Sequence, residues 1–228
     1  MKHYFTKTDI ALWSISVAAI IGSFLLLDRN NYLTLTASLV GVTSLIFSAK
    51  GNPIGQLLMV VFSLLYGIIS YRFRYYGEMI TYLGMTAPMA VFALISWLRN
   101  PYRGNKAQVA VNRIHWKEVW GMLALSIPVT AVFYFILAHF HTAHMIPSTL
   151  SVTTSFIAVY LTFRRSPYFA LAYAANDIVL IVLWTLAALE NVTYISVIIC
   201  FLMFLANDLY GFINWRNMES QQKTLDTP

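Results

Sequence analysis

Two carboxamide–carboxylate pairs interrupt the apolar segments of this 228-residue chain. Asn176 and Asp177 lie in the run YAANDIVLIVLW (173–184), and Asn207 and Asp208 repeat the triplet Ala-Asn-Asp in a later apolar run. An unpaired carboxylate at the centre of a bilayer costs at least about 2.5 kcal/mol, so such residues face a cavity, a ligand or a partner group. These side chains are therefore the first candidates for a binding site.

Aromatic side chains share the helical face of Asp177. At 100° per residue, a single line along the helix has within about 40° of it the residues Phe169, Tyr173, Asp177, Leu180 and Trp184. Asn176 lies about 60° to one side. Polar residues also join membrane helices, with each hydrogen bond worth under about 2 kcal/mol. A carboxylate is a costly way to make such a join, so the stripe favours a polar cavity or a ligand.

Further polar faces occur on three other apolar segments. On the last one, Asn207 and Asn214 share a face, and Tyr210 lies beside it. Asp208 points about 100° away from that face, so we expect it to make a different contact. The candidates on the third and fourth segments are Gln56 and Tyr82.

Other chemistry is poorly represented in the sequence. The motif HFHTAH brings His139, His141 and His144 together, but without a neighbouring carboxylate or cysteine, so solvated loop residues are the favoured interpretation. The single cysteine, Cys200, excludes an intrachain disulfide. We find no phosphate-binding loop, nucleotide fingerprint, HExxH motif or paired acid–base set. The sequence therefore predicts neither an enzyme nor a cofactor or metal site.

The composition indicates a membrane protein. Hydrophobic residues make up 59% of the chain and charged residues 11%, with a mean hydropathy of +0.66, whereas soluble domains carry about 25% charged residues. A membrane helix needs about 17–25 residues. Apolar segments lie at 10–27, 33–49, 54–71, 79–98, 119–138, 145–163, 168–189 and 192–213. We therefore predict an all-α integral membrane protein with eight transmembrane helices.

The basic residues predict its orientation. With eight spans, twelve of the 15 lysines and arginines fall on the side that holds both termini and the loops near 50, 99–118 and 164–167. The other side holds Arg29, Arg72 and Arg74. Because basic loops stay in the cytoplasm, both termini are predicted to be cytoplasmic. This distribution argues for lipid headgroups rather than nucleic acid as the partner of the basic loops.

A modest internal repeat predicts the domain organisation. TSLI at 43–46, Pro53 and WLRN at 97–100 return as TSFI at 154–157, Pro167 and WRN at 215–217, at offsets of 111 to 118 residues. We predict two parallel three-helix units, an arrangement seen in transporters, although chance similarity among apolar segments is an alternative. The predicted parts are an extra helix (1–32), a first unit (33–100), a loop and linker helix (101–143), a second unit (144–217) and a disordered polar tail (218–228).

Several segments resemble the PnuC family of bacterial vitamin transporters. The more specific parts are Tyr-x-Gly-Glu at 75–78 and Asn-x-x-Tyr-Gly-x-x-x-Trp at 207–215, within a likeness that extends over residues 33–217. The family also has a Trp-x-x-Trp-x-x-x-Asn signature. Here Phe169 and Ala172 stand in the tryptophan positions before Asn176, so the identity of the vitamin stays open.

The resemblance implies a 3+1+3 helix core similar to that of the SWEET sugar transporters, with an extra N-terminal helix, in a bacterial inner (plasma) membrane. It implies uptake of nicotinamide riboside, by facilitated diffusion with alternating access in our interpretation. Thiamine or riboflavin transport within the family and a SWEET-like sugar carrier are alternatives. The implied partners are further copies of the chain, as a trimer, and a cytosolic riboside kinase that retains the vitamin for NAD synthesis.

The chemistry of nicotinamide riboside fits the candidate residues. Its pyridinium cation would bind the aromatic stripe, through contacts worth about 0.5–2 kcal/mol, and Asp177 would offset its charge. Asn176, Asn207 and Gln56 would hydrogen-bond the amide and the sugar. Proton coupling through Asp177 is an alternative driving force to passive diffusion.

Overall fold

Eight long apolar helical spans make up the computed structural model, which describes residues 4–72, 75–142 and 144–226. This confirms the predicted all-α architecture with eight membrane spans. The helices are α1 (Lys7–Leu27), α2 (Tyr32–Ala49), α3 (Pro53–Arg72), α4 (Tyr76–Thr81), α5 (Ala87–Arg99), α6 (Trp116–His139), α7 (Met145–Phe163), α8 (Tyr168–Ala188) and α9 (Ile195–Asp226). α4 and α5 together form the fourth span.

Six of these spans close into a ring. α2 packs against α3, α3 against α5, α5 against α7, α7 against α8 and α8 against α9, and α9 returns to α2. α1 lies outside the ring against α2 and α9, and α6 lies outside it against α7. A buried cluster that includes Phe62, Tyr66, Trp184 and Phe201 occupies the interior. The ring therefore has a centre that every one of its helices can reach.

Two tryptophans join the ring at equivalent places. Trp97 Nε1 in α5 donates a hydrogen bond to the Thr162 carbonyl in α7 at 2.9 Å. Trp215 Nε1 in α9 donates to the Ser48 carbonyl in α2 at 2.8 Å. Each bond runs from the last helix of one predicted three-helix unit to the first helix of the other. This pairing supports two related units, while their boundaries stay a prediction.

Both ends of the described part of the chain lie at one end of the bundle, which we name the terminal face. The Tyr4 hydroxyl donates to the Ala107 carbonyl at 3.4 Å, and the Arg103 guanidinium donates to the Leu225 carbonyl. The other end of the bundle, where α3 ends and α4 begins, is the opposite face. The cytoplasmic location of the terminal face stays a prediction. Lys2 and Arg74, which entered that charge argument, lie outside the described residues.

The polar tail is helical through Asp226, so its predicted disorder is wrong over the described residues. Gln222 provides the reason, because its Oε1 accepts from the Val111 N–H at 2.8 Å and its Nε2 donates to the Val109 carbonyl at 3.1 Å. Met218, one turn earlier, is also buried. A short hairpin consists of β1 (Pro101–Tyr102) and β2 (Asn105–Val109). The last turns of α9 therefore bind the end of β2 and the residues that follow it.

A π-helical turn, Tyr82–Thr86, interrupts the fourth span between α4 and α5. The Ala87 N–H bonds back to the Tyr82 carbonyl, five residues earlier. Pro88 follows at once and supplies no backbone N–H, so the regular bonding of an α-helix is interrupted here. Single π turns are frequent at functional sites. This one sets the direction of Tyr82.

Candidate functional site

The centre of the ring holds a small cavity of about 30 Å³. Its wall combines acidic and amide groups with aromatic rings, and it receives side chains from α2, α3, α7, α8, α9 and the π turn. The lining residues are Leu45, Met59, Phe62, Tyr82, Thr86, Ser155, Tyr173, Asn176, Asp177, Phe201, Phe204 and Asp208. Four predicted site residues, Tyr82, Tyr173, Asn176 and Asp177, therefore meet in one wall.

Two carboxyl groups face each other in this wall. Asp177 on α8 is 3% exposed and Asp208 on α9 is 4% exposed, and the two carboxyl groups are electrostatic neighbours in the lining of the cavity. Asp177 Oδ2 has no hydrogen-bond partner among the described residues. The pair therefore offers two acidic groups and one oxygen without a partner to a ligand.

Hydroxyl groups of α7 fix the Asn176 amide beside this pair. Its Oδ1 accepts from Thr154 Oγ1 at 2.8 Å and from Ser155 Oγ at 3.1 Å. Ser155 belongs to the TSFI element of the predicted repeat. The buried amide is thus held in one orientation before any ligand arrives, which lowers the ordering cost of binding.

Aromatic rings enclose the acidic pair. Phe62 lies 5.4 Å from Phe204 and 6.0 Å from Tyr82, measured between ring centroids. The Tyr82 ring also lies 4.3 Å from Tyr66, which is farther toward the opposite face. Such edge and tilted pairs are the favoured geometries of neighbouring rings. The cavity can therefore offer ring faces and a carboxylate to the same ligand.

The predicted orientation of the second Asn-Asp pair is reversed. Asp208 lines the cavity, whereas Asn207 Nδ2 donates to Ser16 Oγ on α1 at 2.9 Å and to the Met203 carbonyl at 2.7 Å. A helical projection gives relative directions but not which direction faces the centre. Gly211, which shares the helical face of Asn207 and Asn214, packs against Ala49 and Ala170.

Tyr210 and Gln56 also lie away from the cavity wall. The Tyr210 hydroxyl donates to Asp9 Oδ1 at 2.6 Å, and Lys50 Nζ lies 2.6 Å from Asp9 Oδ2. Gln56 Nε2 donates to Ser48 Oγ at 3.3 Å. Tyr210 therefore joins α9 to α1, and Gln56 joins α3 to α2.

Phe169 and Asn214 lie nearer the terminal face. The Phe169 ring packs against Trp215 at 4.9 Å and Trp97 at 6.2 Å, measured between centroids. Ala172 packs against the same apolar cluster. Asn214 is half-buried, and its Nδ2 lacks a hydrogen-bond partner among the described residues. The two positions where the family signature has tryptophan thus lie outside the lining of the central cavity.

Trp184 lies on the other side of the cavity, in what we call the aromatic cluster: Tyr66, Tyr75, Trp184 and Tyr194. Trp184 is 5.1 Å from Tyr75 and 5.3 Å from Tyr194 between ring centroids. This cluster separates the central cavity from the opposite face. Sequence reasoning missed Tyr66 and Tyr75 as neighbours of Trp184, because they come from another part of the chain.

No metal site accompanies the cavity in the part of the chain that the structure describes. Groups of three or more His, Cys, Asp or Glu side chains arranged to hold an ion are absent there. His139, His141 and His144 belong to the end of α6 and the connection to α7, and His141 and His144 adopt left-handed backbone conformations.

Comparisons with known proteins agree with the membrane architecture. The model of a family described as nicotinamide mononucleotide transporter matches residues 31–217. A relative from Neisseria mucosa, named nicotinamide riboside transporter PnuC, is 26% identical over 213 residues, which cover 91% of this chain and 81% of the relative. The crystal structure of a vitamin B3 transporter PnuC is similar with a TM-score of 0.84 and 23% identity, over 96% of this chain and 94% of that one.

Proposed function

This chain belongs to the nicotinamide mononucleotide transporter family, the PnuC family, and from this premise we propose that it carries nicotinamide riboside across the membrane by facilitated diffusion. The observation that carries the proposal is the central cavity, in which Asp177 and Asp208 lie among aromatic rings at the centre of a bundle with the family's fold. The solute would feed NAD synthesis after entering the cell.

The vitamin's chemistry matches the wall of the cavity. Nicotinamide riboside has a pyridinium cation, and a cation over an aromatic face gains about 0.5–2 kcal/mol. Tyr82, Tyr173 and Phe62 supply such faces beside the acidic pair. The Asn176 amide, held by the α7 hydroxyls, can hydrogen-bond the carboxamide or the ribose.

The size of the cavity requires a conformational change. About 30 Å³ holds a single water molecule, whereas small-molecule sites have volumes of about 300–1,000 Å³. Aromatic groups close both ends, with Trp97 and Trp215 toward the terminal face and the aromatic cluster toward the opposite face. The two three-helix units would therefore move apart at the α2–α9 and α5–α7 contacts to expose the site to each side in turn.

The resemblance supplies the wider setting of this proposal. The protein would reside in a bacterial inner membrane as a homo-oligomer, a trimer in this family, with the terminal face in the cytoplasm. A cytosolic riboside kinase would retain the vitamin by phosphorylating it. The transport step itself would need no catalysis, because solute passage leaves every covalent bond unchanged.

Purified protein in liposomes tests the proposal directly. We expect saturable entry of radiolabelled nicotinamide riboside, absent from protein-free liposomes, and competition by unlabelled vitamin. In a thermal-shift assay, a ligand at 100 times its dissociation constant stabilises the fold by about 2.7 kcal/mol, so the three candidate vitamins can be ranked. Stabilisation and uptake with thiamine or riboflavin alone would replace nicotinamide riboside by that vitamin.

A further inference from the structure

Another buried carboxyl group, that of Glu78, lies outside the central cavity. Glu78 is in the first turn of α4, near the opposite face, and is 2% exposed. Its Oε2 has no hydrogen-bond partner among residues 4–72, 75–142 and 144–226. Buried polar atoms almost always have such a partner, and an unpaired buried charge is costly. By contrast, the buried Asp9 is paired with Lys50 at 2.6 Å.

Two tyrosines lie near this carboxyl group, and the hydroxyl of one of them has no hydrogen-bond partner among the described residues. Tyr66 and Tyr82 are its electrostatic neighbours. The Tyr66 hydroxyl and the Trp184 indole N–H also lack hydrogen bonds within the described part of the chain, although they approach each other. Burial raises the pKa of Tyr75 to about 12, so this ring at the outer edge of the cluster stays neutral at physiological pH.

The location of Glu78 connects the opposite face to the central cavity. Tyr82, one turn after Glu78, lines that cavity and is an electrostatic neighbour of both Glu78 and Asp177. Its ring lies 4.3 Å from Tyr66, measured between centroids. A solute that moves from the opposite face to the central acidic pair therefore passes the aromatic cluster and Glu78 first.

We propose that Glu78 and the aromatic cluster form a second binding site, which takes the pyridinium end of the vitamin before the solute reaches the central cavity. The inference rests on the proposed function. The cation replaces the missing partner of Glu78, and the rings of Tyr66, Tyr75 and Trp184 stack on the pyridinium when the cluster opens. This site selects for positive charge at the entrance, and the central pair binds the same charge afterwards.

A neutral analogue separates charge recognition from shape. The dihydro form of nicotinamide riboside has nearly the same shape and no charge. We expect Glu78→Gln to raise the half-saturating concentration of the cation on the opposite face at least about tenfold, or about 1.4 kcal/mol. The neutral form should change less than about twofold, since it makes no ion pair. Glu78→Asp should restore most of the preference.

The matched control is Glu190→Gln. Glu190 is an exposed carboxylate on the opposite face and an electrostatic neighbour of Tyr75. Its loss changes surface charge without touching the cluster interior, so cation uptake should stay at the wild-type level. An equal effect of Glu190→Gln and Glu78→Gln would overturn the inference, because surface charge would then account for the selectivity.

A partly buried ring gives a second test that does not depend on folding of the Glu78 variants. Tyr75→Leu removes one ring face at the edge of the cluster, and we expect about a threefold weaker interaction with the cation but not with the neutral form. Uptake by the wild type decides the proposed function separately. If the wild type carries the vitamin while Glu78→Gln and Tyr75→Leu keep its full cation preference, the second site is refuted.

Discussion

At the scale of single residues, Asp177 and Asp208 decide what charge the central cavity presents. Two unit charges 4 Å apart repel by about 4 kcal/mol at an effective dielectric constant of 20. Both carboxyl groups are buried in the same wall, so ionising both at once is unfavourable, and the pair can present a single negative charge to a cation. That charge matches one pyridinium cation.

Replacing one carboxyl group leaves the other, so the two aspartates should act as a unit. We expect Asp177→Asn or Asp208→Asn alone to weaken binding of nicotinamide riboside by less than about tenfold, since a charge remains. The double variant removes the charge and should lose about a hundredfold or more, a coupling typical of residues in one network. Titration calorimetry on the four proteins measures this cycle. Additive losses would contradict a shared charge.

The stripe on α8 shows how far spacing alone can identify a site. Tyr173, Asn176 and Asp177 were predicted together and do meet at the cavity, because one helical turn is rigid. Phe169 and Trp184 share their direction but lie 15 residues apart, which is about 22 Å along a helix. They therefore contact different clusters at the two ends of the bundle. The direction of a side chain around its helix axis is predictable from the spacing of residues. Its depth in the bundle depends on how all six helices of the ring pack together.

At the scale of elements, α1 is fastened across the contact between α2 and α9. Asp9 accepts from Tyr210 on α9 at 2.6 Å and pairs with Lys50 after α2 at 2.6 Å. A second bond joins Asn207 of α9 to Ser16 at 2.9 Å. The two predicted units meet along this contact. α1 therefore ties the units together near the terminal face.

Removing the charge of Asp9 should loosen this tie. Breaking a buried ion pair by changing one partner costs about 3–5 kcal/mol, so we expect Asp9→Asn to lower the melting temperature clearly and to expose the N-terminal segment to protease. Lys7→Gln is the matched control, because Lys7 is exposed in the same turn of α1. An unchanged melting temperature in Asp9→Asn would show that apolar packing alone holds α1.

Two elements escaped prediction for identifiable reasons. The end of α9 has a polar composition typical of a disordered tail, yet Met218 and Gln222, four residues apart, share the face that is buried. The partner of Gln222 is the backbone of residues 109 and 111, more than a hundred residues earlier. Pro88 signals that the regular helix of the fourth span is interrupted. The direction of the Tyr82 side chain in the π turn also depends on the rings of Phe62 and Tyr66, which come from another helix.

At the scale of the whole molecule, the ring of six helices has related contacts on two sides. Trp97 bonds the Thr162 carbonyl across one of them and Trp215 bonds the Ser48 carbonyl across the other. The repeat in the sequence indicated this relationship, although apolar segments resemble one another by chance. Closure of both ends around a cavity of about 30 Å³ could not be predicted, since it depends on how side chains from six spans pack together.

The charge of the vitamin makes the driving force of the whole transporter measurable. A carrier that moves the cation alone follows the membrane potential, and 60 mV, inside negative, is worth about 1.4 kcal/mol, or tenfold accumulation. We expect this accumulation in proteoliposomes with a potassium diffusion potential, and none with a pH gradient at zero potential. If the cation instead displaces a proton from Asp177 or Asp208, the exchange is electrically neutral. Vesicles one pH unit more acidic inside would then accumulate the vitamin about tenfold without a potential, and that result would replace passive diffusion by proton exchange.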